Sequence, residues 1–146
     1  MSDKTLAIEA WESLFRTQVT VLRQLHTEFP TGKLSLNEYD VLFNLSRQPE
    51  RQARIRDLNK QLLLTQPSVS RLVDRLAVRE LVEKTVDPVD GRGTLVRLTE
   101  SGFDLFRAVA VVHAASIRKR VGGTLDAEEL RQLTALTEKL RTANCD

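Results

Sequence analysis

Small polar and arginine side chains recur on one face of a predicted helix near the middle of the chain. Apolar residues spaced three and four apart predict this helix from Gln66 to about Arg79. The opposite side carries hydrogen-bonding residues: Gln66, Ser68, Ser70, Arg71 and Arg75. In the major groove of DNA, Gln pairs well with adenine and Arg with guanine, while hydroxyl groups bond bases or phosphates. This face therefore has the chemistry to read a duplex, and Arg75, one turn further along, suits a phosphate contact.

A charged loop between two predicted strands is a second candidate for contact with DNA. Val82–Val86 and Thr94–Leu98 alternate apolar and polar residues as paired strands do. Pro88 removes an amide and two glycines permit positive φ, so we expect a tight tip that presents Arg92 outward. Arginine suits the narrow minor groove of A/T-rich DNA, and Asp90 can hold the guanidinium by a bidentate pair. The alternative is a charged tip that only keeps the sheet edge soluble.

A helix-turn-helix is predicted to position the first of these faces. A short helix over Ile55–Leu63 ends at a tight joint, and Thr65 is the expected N-cap of the next helix. Pro67 is tolerated in the first turn because its amide needs no helical partner there. Two helices joined so closely match the helix-turn-helix pattern. The segment before them, Gln48–Arg54, is predicted to be a polar connection. Its two arginines, Arg51 and Arg54, and the preceding Arg47 are candidates for contacts with the DNA backbone.

Three longer helices flank this unit and carry broad apolar stripes. They are predicted from Leu6 to about Phe29, from Thr99 to about Arg120, and from an Asp126 cap to about Thr142. A further helix, about 36–47, begins at the capping box of Ser35 and Glu38. The reading unit is compact without the flanking helices, so their stripes are most simply buried against the same helices of a second chain.

The distribution of charge and the scarcity of catalytic residue types narrow the function. Residues 47–97 hold eleven Lys and Arg against seven Asp and Glu, so positive charge is concentrated around the candidate reading face. One cysteine, Cys145, and two histidines, His26 and His113, favour neither a disulfide framework nor a metal site, and no cofactor is expected. No nucleophile, base and orienting group share a predicted cleft, which argues against an enzyme.

Length and hydropathy predict one domain in the cytoplasm. The N-terminus leads into a charged amphipathic helix instead of an uninterrupted apolar region, so a secretory signal is not expected. No apolar run approaches the roughly 20 residues that span a bilayer, so no membrane partner is expected.

Two segments identify a family. The loop reads Asp87-Pro88-Val89-Asp90-Gly91-Arg92, and the following strand ends in Leu98-Thr99-Glu100-Ser101-Gly102. With the order helix, helix, helix-turn-helix, hairpin, helix, helix, these segments resemble the MarR family of winged helix-turn-helix transcriptional regulators. The resemblance covers essentially the whole chain. It implies a mainly α fold of the α+β winged-helix type within one domain, residues 1–146, with a DNA-binding part at 36–98 and dimerisation helices at 5–30 and 99–143.

The resemblance also implies a function. MarR-like proteins bind a pseudo-palindromic operator in double-stranded DNA as homodimers, usually as repressors released by a small, often aromatic anionic ligand. The expected DNA-binding residues are Arg54, Thr65, Gln66, Pro67, Ser68, Ser70, Arg71, Arg75, Asp90 and Arg92. The alternatives are an activator, a redox-responsive regulator, or a helical interaction module that binds no DNA. The last would leave the arginine on the wing unexplained.

Four residues resemble the ligand site of urate-responsive members of the family. Trp11, Asp40, Arg71 and Lys84 occupy positions at which those proteins carry Trp, Asp, Arg and Arg, so a small aromatic or purine-like anion is a candidate effector. Lys84 lacks the planar fork of arginine. In the alternative interpretation, Trp11 belongs to the dimer core and Asp40 orients the recognition helix through Arg71 or Lys84. Cys145 is expected to be a thiol on a mobile tail.

Overall fold

The computed structural model describes residues 3–62 and 64–145 of the chain, without the side chain of Gln66. The chain divides into two compact units, one formed by Phe29–Val112 and the other by Met1–Glu28 together with His113–Asp146. The elements in chain order are α1 (Asp3–Glu28), α2 (Leu36–Ser46), a short 3-10 turn (Pro49–Arg51), β1 (Gln52–Arg54), α3 (Ile55–Gln61), α4 (Gln66–Val78), β2 (Val82–Val86), β3 (Thr94–Leu98), α5 (Glu100–Gly122) and α6 (Ala127–Ala143). Six helices and one small antiparallel sheet confirm the predicted mainly α winged-helix fold.

The sheet has three strands, one more than the sequence predicted. β3 lies in the middle and pairs with β2 on one side and β1 on the other, both antiparallel. The prediction that Gln48–Arg54 is only a polar connection is therefore wrong, because Gln52–Arg54 forms β1 with Ala53 opposite Val96. Three residues are too short to show an alternating pattern, and the pairing that makes them a strand comes from a distant part of the chain.

The core of the unit 29–112 lies between α2, α4 and the sheet. Apolar residues of α2, α3 and α4 are buried there, together with the first residue of β2 and two residues of β3: Leu42, Leu45, Leu58, Val69, Val73, Leu76, Val82, Val96 and Leu98. Full burial of each such side chain stabilises the fold by about 1.5–3 kcal/mol. Phe43, on α2, is 36% exposed. The reading unit thus has a complete core of its own.

Helix caps fix where several elements begin. Ser35 and Glu38 form the predicted capping box of α2, and Asp126 and Glu129 form the same arrangement at α6. In each box the N-cap side chain accepts from the third helical amide, and the glutamate accepts from the N-cap amide. Both caps follow from local sequence alone, which is why both were predictable.

Left-handed backbone occurs at charged residues in this chain and at no glycine that the structure describes. Glu50, Arg51 and Glu80 have φ of 58°, 54° and 60°, and the tight wing tip forms without the positive φ that Gly91 and Gly93 permit. Glu80 ends α4: its amide donates to Ala77 O and the next amide, Leu81, donates to Leu76 O, each at 3.0 Å. This is the bond pattern of a helix end that usually carries glycine.

The unit formed by residues 1–28 and 113–146 leaves its apolar side chains largely open. Within the described chain, neither α1 nor α6 has a buried residue. Large apolar side chains along both helices are exposed: Leu6, Ile8, Trp11, Phe15 and Leu22 on α1, and Leu133, Leu136 and Leu140 on α6. Glu28 forms an ion pair with Arg120 inside this unit, and its hydrogen bond to that guanidinium lowers the pKa of the Glu28 carboxyl. Among the described residues, no helix has the length and apolarity to cross a membrane.

Candidate nucleic-acid interface

The N-terminus of α4 is built by Thr65, as the sequence predicted. Its backbone is extended, with φ −70° and ψ 152°, and its side-chain oxygen accepts from Ser68 N at 3.3 Å. The Thr65 hydroxyl in turn donates to Ser68 Oγ at 2.8 Å, which leaves the Ser68 hydroxyl proton for another partner. Pro67 stands in the first turn, where its missing amide costs nothing. The cap therefore fixes the direction in which the first turn presents its hydroxyl groups.

The polar side of α4 is open while its apolar side is fully packed. Val69, Val73 and Leu76 are completely buried in the core beneath the helix. Arg71 and Arg75 are exposed, and in the described part of the chain neither takes part in an ion pair. A guanidinium that is exposed and unpaired keeps its fork of N–H donors available for an outside acceptor. The helix is thus held rigidly with two free cations on its outer face.

The wing turn is built by backbone hydrogen bonds and two aspartates. Asp87 N donates to Gly93 O and Gly93 N donates to Asp90 O, each at 2.9 Å. Asp90 Oδ1 accepts from the backbone amide of Arg92 at 3.1 Å. The predicted bidentate pair between Asp90 and the Arg92 guanidinium does not form in the described chain, because the carboxylate is occupied by the turn itself. Arg92 is exposed at the tip with its charge unpaired.

Two of the three arginines around β1 form ion pairs with residues of the same unit. Arg54 Nε lies 2.5 Å from Oδ2 of the buried Asp87. Arg51 pairs with Glu100 at 3.5 Å, and its guanidinium lies 3.5 Å from the centre of the Phe103 ring. Arg47 is exposed and lies over Phe43. Arg51 and Arg54 are therefore engaged by residues of their own unit, whereas Arg71, Arg75 and Arg92 are exposed and have no ion pair in the described chain.

The Asp87 carboxylate stays ionised although it is buried. A hydrogen bond from the Val89 amide, at 2.9 Å to Oδ1, is the largest influence that lowers the pKa of Asp87. Burial acts in the opposite direction, and the Arg54 guanidinium adds to the lowering. The wing base thus contains a carboxylate that is negatively charged at neutral pH.

The four ligand-site candidates divide between the two units. Trp11 lies on α1, whereas Asp40, Arg71 and Lys84 lie on α2, α4 and β2 of the unit 29–112. Lys84 forms its ion pair with Asp74 of α4, not with the expected Asp40. Asp40 is half-buried next to Tyr39, whose pKa is raised by burial and by the Asp40 charge.

A cleft beside Lys84 has the wrong charge for an anion. It has a volume of about 650 Å³, and its lining includes Glu80, Glu83 and Glu100 beside Lys84. Three carboxylates offset the single ammonium group, so an anionic ligand would gain little there.

The Leu-Thr-x-x-Gly signature has a structural role that sequence reasoning did not assign. Thr99 Oγ1 donates to Glu80 O at 2.8 Å and accepts from Gly102 N at 3.0 Å, which caps α5 and ties it to the end of α4. A Cβ at Gly102 would lie 2.0 Å from Leu81 O. The glycine allows α5 to begin directly against the chain that leads from α4 into β2.

The remaining reactive residues form no site among those described. Cys145 is exposed near the C-terminus. His113 is buried on α5, and burial lowers its pKa. Within residues 3–62 and 64–145, no group of three or more His, Cys, Asp or Glu is arranged to hold a metal ion.

Comparison with known proteins identifies the arrangement. Residues 33–93, which include α4 and the wing loop, match the MarR family. The match covers less than half of the chain, and it is with the family that the sequence predicted. The similar proteins named below are transcriptional regulators, which is the class that the sequence predicted.

Similar proteins extend the match to the whole chain. The HTH-type transcriptional regulator MhqR of Bacillus subtilis (strain 168) is 28% identical over 101 residues, which are 69% of this chain and 66% of MhqR. The chain thus aligns with about two thirds of that regulator's length. Sco3205, a MarR family regulator of Streptomyces coelicolor solved in complex with DNA, has a TM-score of 0.80 at 22% identity, covering 100% of this chain and 91% of its own. BpsR of Bordetella bronchiseptica, whose DNA binding is regulated by 6-hydroxynicotinic acid, has a TM-score of 0.75 at 24% identity, covering 92% of this chain and 93% of its own.

Proposed function

We propose that this chain is a sequence-specific DNA-binding regulator that inserts α4 into the major groove and the wing into the adjacent minor groove. One observation carries the proposal: Arg71, Arg75 and Arg92 are exposed and unpaired in the described chain, while Arg51 and Arg54 are engaged inside the unit. Free guanidinium groups on a helix and on a hairpin tip match the two grooves that such a unit contacts. Sco3205 supports this geometry, since it has the same fold and was solved with DNA.

The DNA-reading residues have separate roles in this proposal. Gln66, Ser68, Ser70 and Arg71 read base edges, and Arg75 binds phosphate. Thr65, Pro67 and Asp90 shape the backbone from which these side chains extend, and Arg92 enters the minor groove. The Ser68 hydroxyl supports the reading role, because its proton is not used by the Thr65 cap.

We infer that the regulator is a homodimer, with α1, α5 and α6 of each chain packed against a second copy. The exposed apolar side chains of α1 and α6 support this, as does an apolar cleft of about 430 Å³ between them, lined by Leu14, Val21, Val121 and Leu133. Large exposed apolar patches commonly mark a surface that binds another protein. Two-fold symmetry would present the two recognition helices to half-sites about 34–36 Å apart on a pseudo-palindromic operator. Bound across a promoter in the cytoplasm, the dimer would act as a repressor by excluding polymerase.

The proposal is tested by equilibrium binding to a duplex from the region upstream of the protein's own gene. Arg71→Ala and Arg92→Ala should each weaken binding about 5- to 100-fold, because each removes a charged contact in a groove. Arg118→Ala, which removes an exposed arginine of α5, is the charge-matched control and should bind as the native protein does. Unchanged affinity in both groove variants would refute the assignment of α4 and the wing.

We propose a small aromatic anion as the effector, with Arg71 as the residue shared between ligand and DNA. BpsR supports an effector of this chemical class. The Lys84–Asp74 pair and the acidic cleft beside it argue against a purine bound through Lys84. Salicylate and 6-hydroxynicotinate at millimolar concentration should therefore lower the affinity for the operator. Urate at the same concentration should lower it much less. If none of the three changes operator affinity or melting temperature, the chain has no effector of this class and Asp40 serves only to orient α4.

A further inference from the structure

An ion pair links the two outer strands of the sheet at the base of the wing. Arg54 is the last residue of β1, opposite Leu95 of β3, and Asp87 directly follows the last residue of β2. Because β3 lies between β1 and β2, the contact of Arg54 Nε with Asp87 Oδ2 at 2.5 Å reaches across the end of the middle strand. The pair therefore fixes the wing hairpin to the start of the helix-turn-helix.

The Arg54 side chain is available for this contact because it does not cap the helix that follows it. Arg54 is the N-cap residue of α3, but a guanidinium has no acceptor for the helix amides, and the side chain makes no capping hydrogen bond. Its side chain is 33% exposed, whereas that of Asp87 is 2% exposed. Burying a carboxylate costs free energy unless opposite charge and hydrogen bonds compensate it. The burial of Asp87 therefore requires Arg54, whereas the partly exposed Arg54 side chain can be hydrated without Asp87.

Asp87 in turn organises the loop that carries Arg92. Its Oδ1 accepts from the Val89 amide at 2.9 Å, and its own amide donates to Gly93 O at 2.9 Å. A Cβ on Gly93 would lie 3.4 Å from the Asp87 Cβ, so the two backbone segments are packed closely. Displacement of the Asp87 side chain would therefore move both ends of the turn from which Arg92 projects.

We propose that Arg54 is a positioning residue for the minor-groove contact. It holds the Asp87 side chain in place, and Asp87 holds the wing turn in the position from which Arg92 enters the groove. This inference rests on the proposed function, because it assigns Arg54 a part in DNA binding. It replaces the expectation that Arg54 contacts DNA itself. The neighbouring Arg56 is exposed and has no ion pair in the described chain, so it provides a matched comparison.

The test is a double-mutant cycle on operator binding with Arg54→Gln, Arg92→Ala and the double variant, each measured over a range of salt concentrations. Arg54→Gln should weaken binding roughly 5-fold with an unchanged salt slope, and its effect should shrink below about 2-fold when Arg92 is already Ala. Arg54→Lys, which keeps the cation, should restore part of the loss. Arg56→Gln should act independently of Arg92. Additive effects together with a salt slope reduced by about 0.9 would instead make Arg54 a direct phosphate contact and overturn the proposal.

A measurement without DNA separates this proposal from the proposed function. In the free protein, Arg54→Gln should shift the backbone amide resonances of Val89, Arg92 and Gly93, while Arg56→Gln leaves them unchanged. Asp87→Asn keeps the acceptor for the Val89 amide but removes the charge, and it should shift the same resonances if Arg54→Gln does not fold. Unperturbed wing amides in both variants would overturn the positioning role, even if the native protein binds DNA as proposed.

Discussion

The two units of this chain differ in how they cover their apolar surface. Residues 29–112 bury a continuous core beneath α4 and the sheet, so the reading unit is held in shape by its own side chains. α1 and α6 bury no residue within the described chain, and Trp11 and Leu136 are 61% and 65% exposed. The unit 29–112 therefore has a core of its own, whereas the open apolar side chains of α1 and α6 form the surface that we propose for a second copy of the chain.

The largest effect is expected from a charge placed on the open helical surface. Leu136→Glu should weaken self-association by about 100-fold or more, because a carboxylate in an apolar interface loses its hydration without a partner. Operator affinity should fall with it, since a monomer contacts one half-site. Light scattering at several concentrations measures the change. Val78→Glu places the same charge at an apolar residue of the reading unit that is 85% exposed, and it should leave the association unchanged. If Leu136→Glu and Val78→Glu changed self-association to the same extent, the proposed difference between the two units would be contradicted.

Gly102 provides a test of the packed unit. Gly102→Ala should lower the free energy of unfolding by about 3 kcal/mol, because its Cβ would collide with backbone that cannot move aside. The colliding atom is Leu81 O, at 2.0 Å. Urea denaturation followed by circular dichroism measures the loss. Gly32→Ala is the matched control, since nothing lies within 4 Å of a Cβ there, and it should unfold as the native protein does. A Gly102→Ala protein of native stability would show that the start of α5 is not closely packed.

A substitution at Glu80 should raise the free energy of unfolding, by less than Gly102→Ala lowers it. Its φ of 60° belongs to the left-handed region, which glycine adopts without strain. Glu80→Gly should therefore raise the free energy of unfolding by about 1 kcal/mol. The hydrogen bonds from Thr99 and Ser101 are retained because both end at the backbone oxygen of residue 80. Glu80→Ala keeps the Cβ and should not stabilise the protein. A gain in that variant would assign the effect to the lost carboxylate instead.

The smallest effect is expected from the Asp87 carboxylate at acid pH. Its pKa is lowered in the folded protein, so the stability it contributes is fully present above the unfolded pKa of about 3.9 and is lost as the pH falls through the lower folded value. Asp87→Asn should therefore flatten the loss of stability below pH about 4. Denaturation curves at several acid pH values measure this. An Asp87→Asn protein that loses stability at acid pH as steeply as the native protein would contradict this role of the Asp87 carboxylate.

Local sequence was sufficient to predict most of the secondary structure. The alternation in β2 and β3, the capping boxes at Ser35 and Asp126, and the Thr65 cap each depend on a few neighbouring residues, and each was found where it was predicted. β1 could not be predicted in this way, because its strand character comes from pairing with β3.

The sequence predicted which residue types form the candidate site, but not which residues their side chains contact. The exposed arginines of α4 and the wing follow from helical and strand periodicity. The engagement of Arg54 by Asp87, of Arg51 by Phe103 and of Lys84 by Asp74 required the tertiary fold, because each pair joins separate elements. A tight wing tip was predicted from Pro88 and two glycines, but the hydrogen bonds that Asp87 and Asp90 accept within it were not predicted.

Footprinting on the region upstream of the protein's own gene tests the central claim most directly. A dimer that places two copies of α4 and two wings on DNA should protect two related half-sites about one helical turn apart, flanked by protected minor grooves. Arg92→Ala should lose the flanking protection and retain the central one. Absence of a discrete footprint at protein concentrations that shift random duplex to the same extent would contradict sequence-specific binding.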